Sequence, residues 1–457
     1  MKKIVYLFIG FLLIFTVSLF SKDFEWGKLE LRSTTQYKLQ WSDNPNNLVS
    51  NDDNDQDISE ILGVDAYHKK TGLSFNFFGK YTKDLDGTPE GSIFEDYVDT
   101  NDSRQKLYAY YMYLEKDNFI GNLDLKIGRQ YSYSSEIVHY DGVSVSGNGF
   151  GKDWFNFEVF GGRIVEMYSN LDRNSVGGFN VELNFIKNLS FYVDTVFYKK
   201  NSYEIGAYWK PTDYIKSKVS YAAINSHSRF WSFDISGTCP KTDTTIEVNV
   251  FKRFRITIDD DFLYDYTSSI DENIGKDIRR FYLARLIGYI EYSISLSQPI
   301  PKQEGMSFFV RYTRRDVNDS TDIFYEKLYN TDFYRWTLGY SIDNWKMLKG
   351  FKLNLGYSYW KEENKDFYDA SSESFFADVE QEIAKKFIFT AGFYYKTEDV
   401  NSMIEGEASH YYYGALKYKF TKDNWAQIKY EYETDDYYDE FGVDGVNALT
   451  LSLHFVW

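Results

Sequence analysis

Along this chain, from Lys28 to Trp457, segments of about ten residues recur in which apolar and polar side chains alternate. In the first, Leu29, Leu31, Ser33, Thr35, Tyr37, Leu39 and Trp41 share one face, while Lys28, Glu30, Arg32, Gln36 and Lys38 share the other. A period of two belongs to a strand with one apolar and one wetted face. Residues 174–224 repeat the pattern four times, and Met306–Tyr312, Tyr334–Tyr340, Phe351–Tyr357 and Phe387–Phe393 carry further copies. About ten residues is also what a tilted strand needs to cross a hydrocarbon layer.

A soluble sandwich or barrel alternates too, but its connections do not divide into two classes. Here short turns, at 187–188, 211–213, 384–385 and 421–423, alternate with long acidic stretches. The seven longest (42–57, 84–103, 255–276, 316–331, 362–373, 398–407 and 433–444) hold 37 Asp/Glu against 4 Lys/Arg. The formal net charge of -17 therefore resides in the loops, and the strands with their short turns are net basic. The 42 Tyr, 38 Phe and 10 Trp suit pleated surfaces and membrane interfaces, and only 6 Pro interrupt them. The expected fold is all-β: a transmembrane antiparallel up-and-down barrel of about 22 strands, both termini at the short-turn end and no plug domain before the first strand. The segments Asp141–Gly147 and 58–72 are the weakest strands, which leaves 18 or 20 open.

Lys2 and Lys3 precede an apolar run, Ile4–Phe20, ended by Ser21, so residues 1–21 read as a signal peptide and 22–457 as the barrel. The terminal strand, with Leu449, Leu451, Leu453, Phe455 and Trp457 on one face, has the form of an outer-membrane assembly signal. These features point to the outer membrane of a Gram-negative cell, with membrane lipid, lipopolysaccharide and the barrel-assembly machinery as partners and no nucleic acid. The single cysteine, Cys239, excludes an internal disulfide and a c-type haem motif, and no cofactor is expected.

The run Asp53-Asn54-Asp55-Gln56-Asp57 resembles the opening of a calcium loop, but Ile58 stands at the glycine position and Val64 at the bidentate glutamate position. Asp259, Asp260 and Asp261, and Asp435, Asp436, Asp439 and Glu440, are similarly acidic, and no metal site is assigned to any of them. Parity sends Arg311, Arg335 and Lys352 to the inner face, followed on later strands by Asp378, Glu380 and Glu382. A basic ladder beside an acidic one either creates a transverse field that orients solutes or closes into salt bridges that stiffen the wall. Inner tyrosines, Tyr108, Tyr110, Tyr192, Tyr208, Tyr394, Tyr411 and Tyr413, either offer a stacking path or simply fill the wall.

Residues 123–145 read LDLKIGRQYSYSSEIVHYDGVSV. A strand ending Gly-Arg-Gln, a loop, and a strand opening Asp-Gly resemble an element of the alginate-export-type and related large outer-membrane porins. The resemblance covers about 25 residues and implies a porin-type export or uptake channel. Strict parity puts Arg129 on the lipid side, where a charge at mid-membrane costs about 2–4 kcal/mol. Arg129 therefore either lies above the bilayer or is turned inward by a bulge, toward Asp141.

The expected function is passive diffusion or export of small hydrophilic solutes, anionic or sugar-like ones among them. One alternative is a sleeve that holds a periplasmic or surface partner protein, such as an electron-transfer or secretion component, across the membrane. A hydrolase is the other: of five histidines, His139 lies near Ser134, Ser135, Glu136 and Asp141, which can be drawn as a triad. A barrel near 22 strands with no plug needs its bore narrowed, by an inward loop, of which 254–284 is the longest candidate, or by a second protein.

Overall fold

A computed structural model describes residues 22–43, 54–87, 94, 104–150, 154–165, 174–255, 288–301, 303–317, 332–345, 348–363, 370–400, 408–434 and 443–457. The elements so described are all strands: β1 (Lys22–Phe24), β2 (Gly27–Asp43), β3 (Asn54–His68), β4 (Leu73–Asp84), β5 (Gln105–Ile120), β6 (Leu123–Tyr133), β7 (Ile137–Gly149) and β8 (Phe155–Ile164). They continue as β9 (Ser175–Ile186), β10 (Leu189–Phe197), β11 (Asn201–Thr212), β12 (Ile215–Ile224), β13 (His227–Thr238), β14 (Thr245–Arg253), β15 (Tyr289–Pro299) and β16 (Met306–Val317). The last are β17 (Asp332–Asp343), β18 (Phe351–Glu363), β19 (Ala370–Ile383), β20 (Phe387–Val400), β21 (Ala408–Lys419), β22 (Trp425–Thr434) and β23 (Gly445–Val456).

Each strand from β2 onward pairs antiparallel with the next, and β23 returns to β2 from Arg32↔Val456 to Asp43↔Gly445. The ring β2–β23 is thus a closed up-and-down barrel of 22 strands, the number expected. Both weak segments are wall: 58–68 belongs to β3 and Asp141–Gly147 to β7. The stub β1 folds back on the foot of β2, pairing Lys22 with Leu29 and Phe24 with Gly27. Residues 1–21, Asp53, the acidic clusters 259–261 and 435–440, and most of the 254–284 loop lie outside the described residues.

Cross-strand partners share a face. Tyr37 thus sits with Ile58 and Leu451 on one face, and Lys38 with Asp57 and Thr450 on the other. The apolar face is the outer one: Leu62, Ile205, Val219, Ile294, Leu338 and Ile428 are among its exposed side chains. An apolar outside around a polar inside reverses the arrangement of a soluble barrel and suits lipid. At the short-turn end Trp26 stacks on Phe24 and Phe455 on Trp457, and Trp41 and Tyr430 meet toward the other, as interfacial rings do.

On the inner face, aromatic rings lie over glycines of the neighbouring strand, at Phe160/Gly178, Tyr192/Gly206, Phe309/Gly339, Phe376/Gly356 and Tyr413/Gly392. In each pair a Cβ on the glycine would come within 2.6 Å of the ring. Flattening the ring on the wall buries its face without blocking the bore. The connections are less cleanly divided than the sequence suggests. The long-loop end also carries tight links at 134–136, 198–200 and 225–226, all between β6 and β13. Several acidic residues counted with loops, among them Asp55, Asp57, Asp84, Glu373 and Glu398, occupy strand ends instead, because strands at this end extend beyond the length that crosses hydrocarbon.

Candidate functional site

A row of glycines crosses the wall where the Gly-Arg-Gln and Asp-Gly elements face each other, Gly128 opposite Gly142 and Gly142 opposite Gly162. A Cβ would stand 2.3 Å from the Met112 carbonyl oxygen at Gly128, 2.2 Å from that of Gly161 at Gly142, and 2.4 Å from that of Asp141 at Gly162. Only side-chain-free backbone approaches this closely, so the row is a line along which the sheet can bend. Above it the β6–β7 hairpin leaves its neighbour. β5 keeps β4 up to Lys83↔Gln105, but its uppermost partner on β6 is Arg129, opposite Met112.

The free end of the hairpin folds into the bore. Its Val138 and Tyr140 pack with Phe160, Ile164, Val176, Val196 and Ile224, all of them buried, from β8, β9, β10 and β12. Val196 and Ile224 lie on the polar face of their strands, in step with Asp194 and Ser220, so the hairpin covers the inner wall. The tip reaches β11 and β13, four and six strands round the barrel from β7. The Ser135 hydroxyl donates to the Ser202 carbonyl at 3.2 Å. Ser202 Oγ donates to Glu136 Oε1 at 3.0 Å, and Arg229 Nη1 pairs with that same oxygen and donates to Ser202 Oγ at 3.2 Å. Glu136 and Arg229 are each 8 % exposed and Ser202 is fully buried.

The opposite face of the hairpin carries Arg129, Tyr131, His139 and Asp141. Arg129 binds Asp141 in a fork, Nε to Oδ1 at 2.8 Å and Nη2 to Oδ2 at 3.0 Å. His139 stacks on Tyr131 with ring centroids 4.2 Å apart, and its Nδ1 lies 3.1 Å from the Tyr108 hydroxyl of β5. The conflict at Arg129 is resolved by the hairpin bending, which turns the face that strict parity sends to lipid back toward β5. Tyr110 is the extra residue of a bulge opposite Phe78 and Gly79, its ring 4.8 Å from that of Tyr108 and 5.4 Å from that of Phe78. Of the residues drawn as a triad, Ser135 and Glu136 engage β11 and β13, Asp141 engages Arg129 and His139 the tyrosines, while Ser134 Oγ and His139 Nε2 are buried without a hydrogen-bond partner among the described residues.

On the far side of the ring the inner face has Arg311 and Arg315 on β16, Arg335 on β17, Lys352 on β18 and Asp378, Glu380 and Glu382 on β19. Arg315 is neutralised by Glu291 at 2.8 Å and Lys352 by Glu380 at 2.9 Å. Among the described residues Arg311, Arg335 and Glu382 make no ion pair. The two ladders are therefore partly bridged and partly open. Tyr413 donates to Asp378 at 2.7 Å and Tyr411 to Glu431 at 2.5 Å, which ties both rings to the wall. The terminal strand carries Leu449, Leu451, Leu453 and Phe455 on the outer face against β2, and Trp457 bonds Leu31 through both backbone groups.

At the mouth, Asp55, Asp84 and Asp86 bring one carboxylate oxygen each within 4.8 Å of one another. Asp84 Oδ1 accepts the N–H groups of Asp86 and Gly87, and burial, with Asp84 adjacent, lifts the Asp86 carboxyl above the ordinary aspartate range. Sequence reasoning had only Asp55, because its companions come from the next loop.

No protein-family model matches the chain, and no curated protein matches it. Among solved structures, the translocation pore of the P pilus usher PapC has a TM-score of 0.51 at 10% identity, over 94% of this chain and 99% of that one. OccAB3 of Acinetobacter baumannii has a TM-score of 0.48 at 12% identity over 94% and 99%. The outer membrane protein OpdK of Pseudomonas aeruginosa has 0.46 at 10% over 94% and 99%. At 10% identity the likeness to the PapC pore is one of fold alone.

Proposed function

We propose that this chain is a passive outer-membrane channel for small hydrophilic solutes, narrowed by its own β6–β7 hairpin. The observation that carries this reading is the hairpin packed on the inner wall of a closed, polar-lined ring of 22 strands. A ring of that size needs an internal obstruction to be selective, and the hairpin supplies one between β5 and β13. Passage is left along β14–β23 and β2–β4, past the guanidinium groups of Arg311 and Arg335, which favour anionic solutes, and past Glu382. A sleeve for a partner protein needs that bore clear, which the hairpin opposes. In this reading residues 1–21 are the cleaved signal peptide, both termini are periplasmic, and the long acidic loops face the cell surface among lipopolysaccharide. The barrel-assembly machinery then recognises the terminal strand through Phe455 and Trp457.

The test is planar-bilayer conductance of the refolded chain 22–457, with reversal potentials under a salt gradient. Steady openings of one size are expected, and Arg311→Gln with Arg335→Gln should move the reversal potential toward cation preference. Very large, erratic conductance from folded barrels would support the sleeve and sink the proposal.

A further inference from the structure

We infer that Arg229 is a positioning residue for the constriction: a latch on β13 that holds the tip of the β6–β7 hairpin across the bore. The inference rests on the channel reading above and adds what regulates its aperture. Between β12 and β13 the register shifts, Ala222 facing Phe230 and Ala223 facing Ser228, so Arg229 is the extra residue of a bulge. A bulge re-aims one side chain. Here it turns Arg229 onto the inner side, where its guanidinium meets Glu136 and the Ser202 hydroxyl. Hydrogen-bonded ion pairs shut away from water are directional, and removing one partner strands a buried charge.

The polar contacts of the tip converge on this point. Ser135 and Glu136 both engage Ser202, and Arg229 closes the group. Farther down, the hairpin is held by the apolar contacts of Val138 and Tyr140, and below those by the glycine row, along which the sheet bends. Contact at the tip and a bend at the base together describe a flap whose polar fastening lies at its tip. Unfastening it moves the tip while leaving the 22-strand ring closed.

The experiment uses the full barrel, folding being checked by heat-dependent gel migration, with limited proteolysis at the 134–136 tip as a readout independent of conductance. Arg229→Met and Glu136→Gln should each raise mean unit conductance at least twofold with added transitions between levels, and should speed cleavage at the tip at least fivefold. The exchange Glu136→Arg with Arg229→Glu should restore the wild-type conductance and cleavage rate. Folded Arg229→Met barrels with an unchanged cleavage rate would overturn the latch, whatever they conduct. A silent wild type would instead overturn the channel reading, with the cleavage rates still deciding the latch.

Discussion

Glu60 faces outward at mid-height on β3, opposite Thr35, with the hydroxyls of Ser33 and Thr35 donating to its two oxygens. A carboxylate in this position works against the bilayer, so Glu60→Gln should raise stability by about 1 kcal/mol, measured by denaturant unfolding in lipid. Gly142→Val should act the other way, by about 3 kcal/mol or more, because its Cβ would collide with the Gly161 carbonyl oxygen. Gly414→Ala, where a Cβ meets nothing within 4 Å, is the control and should be near neutral. Asp86 gives a pH signature. Its folded pKa is raised, so the stability it contributes is complete below the ordinary value of 3.8 and is lost as pH rises through the raised value. Asp86→Asn should therefore gain thermal midpoint over the wild type only above that window. A constant difference between about pH 3 and about pH 7 would refute the assignment.

At the scale of the element, the hairpin behaves as a small buried core inside a membrane wall. Tyr140, fully buried and 5.1 Å from the ring of Phe160, should cost about 3–4 kcal/mol when replaced by Ala. The same change should expose the 134–136 tip to limited proteolysis; continued resistance would argue against a docked hairpin. One trace of this element was legible in the sequence. Arg129, His139 and Asp141 alternate onto a lipid-facing position where charge is intolerable, and that contradiction is what a strand leaving the wall looks like in one dimension. Where the tip lands was not legible, since Ser202 and Arg229 lie 66 and 93 residues from Glu136 and neither stands in a motif. The mouth carboxylates were hidden for the same reason.

For the whole molecule, strand number and the face of most side chains were legible because period-2 alternation is set by burial on one face, and a slip of one residue would invert every side chain of a strand. Loop length was a weaker guide. At the long-loop end the β6–β7, β10–β11 and β12–β13 links are short, and there the hairpin, not a long loop, covers the inner wall. Selectivity should follow this asymmetry. Neutralising Arg311 and Arg335 on the open side should shift the reversal potential, while Lys218→Gln, on β12 whose upper end the hairpin covers and 3.9 Å from Glu204, should leave it nearly unchanged. Equal shifts from both sides would mean that solute passes on either side of the hairpin.

Closure itself has a built-in endpoint. Trp457 meets Leu31 on β2, and Lys22 of β1 already occupies the place opposite Leu29, so only Glu30 separates the tail of the last strand from β1 along the same lane. A β23 sliding two residues toward the short-turn end would run into β1. The N-terminal stub thus acts as a doorstop for the final strand, and its removal should show as ring isomers of altered shear, not as lost strands.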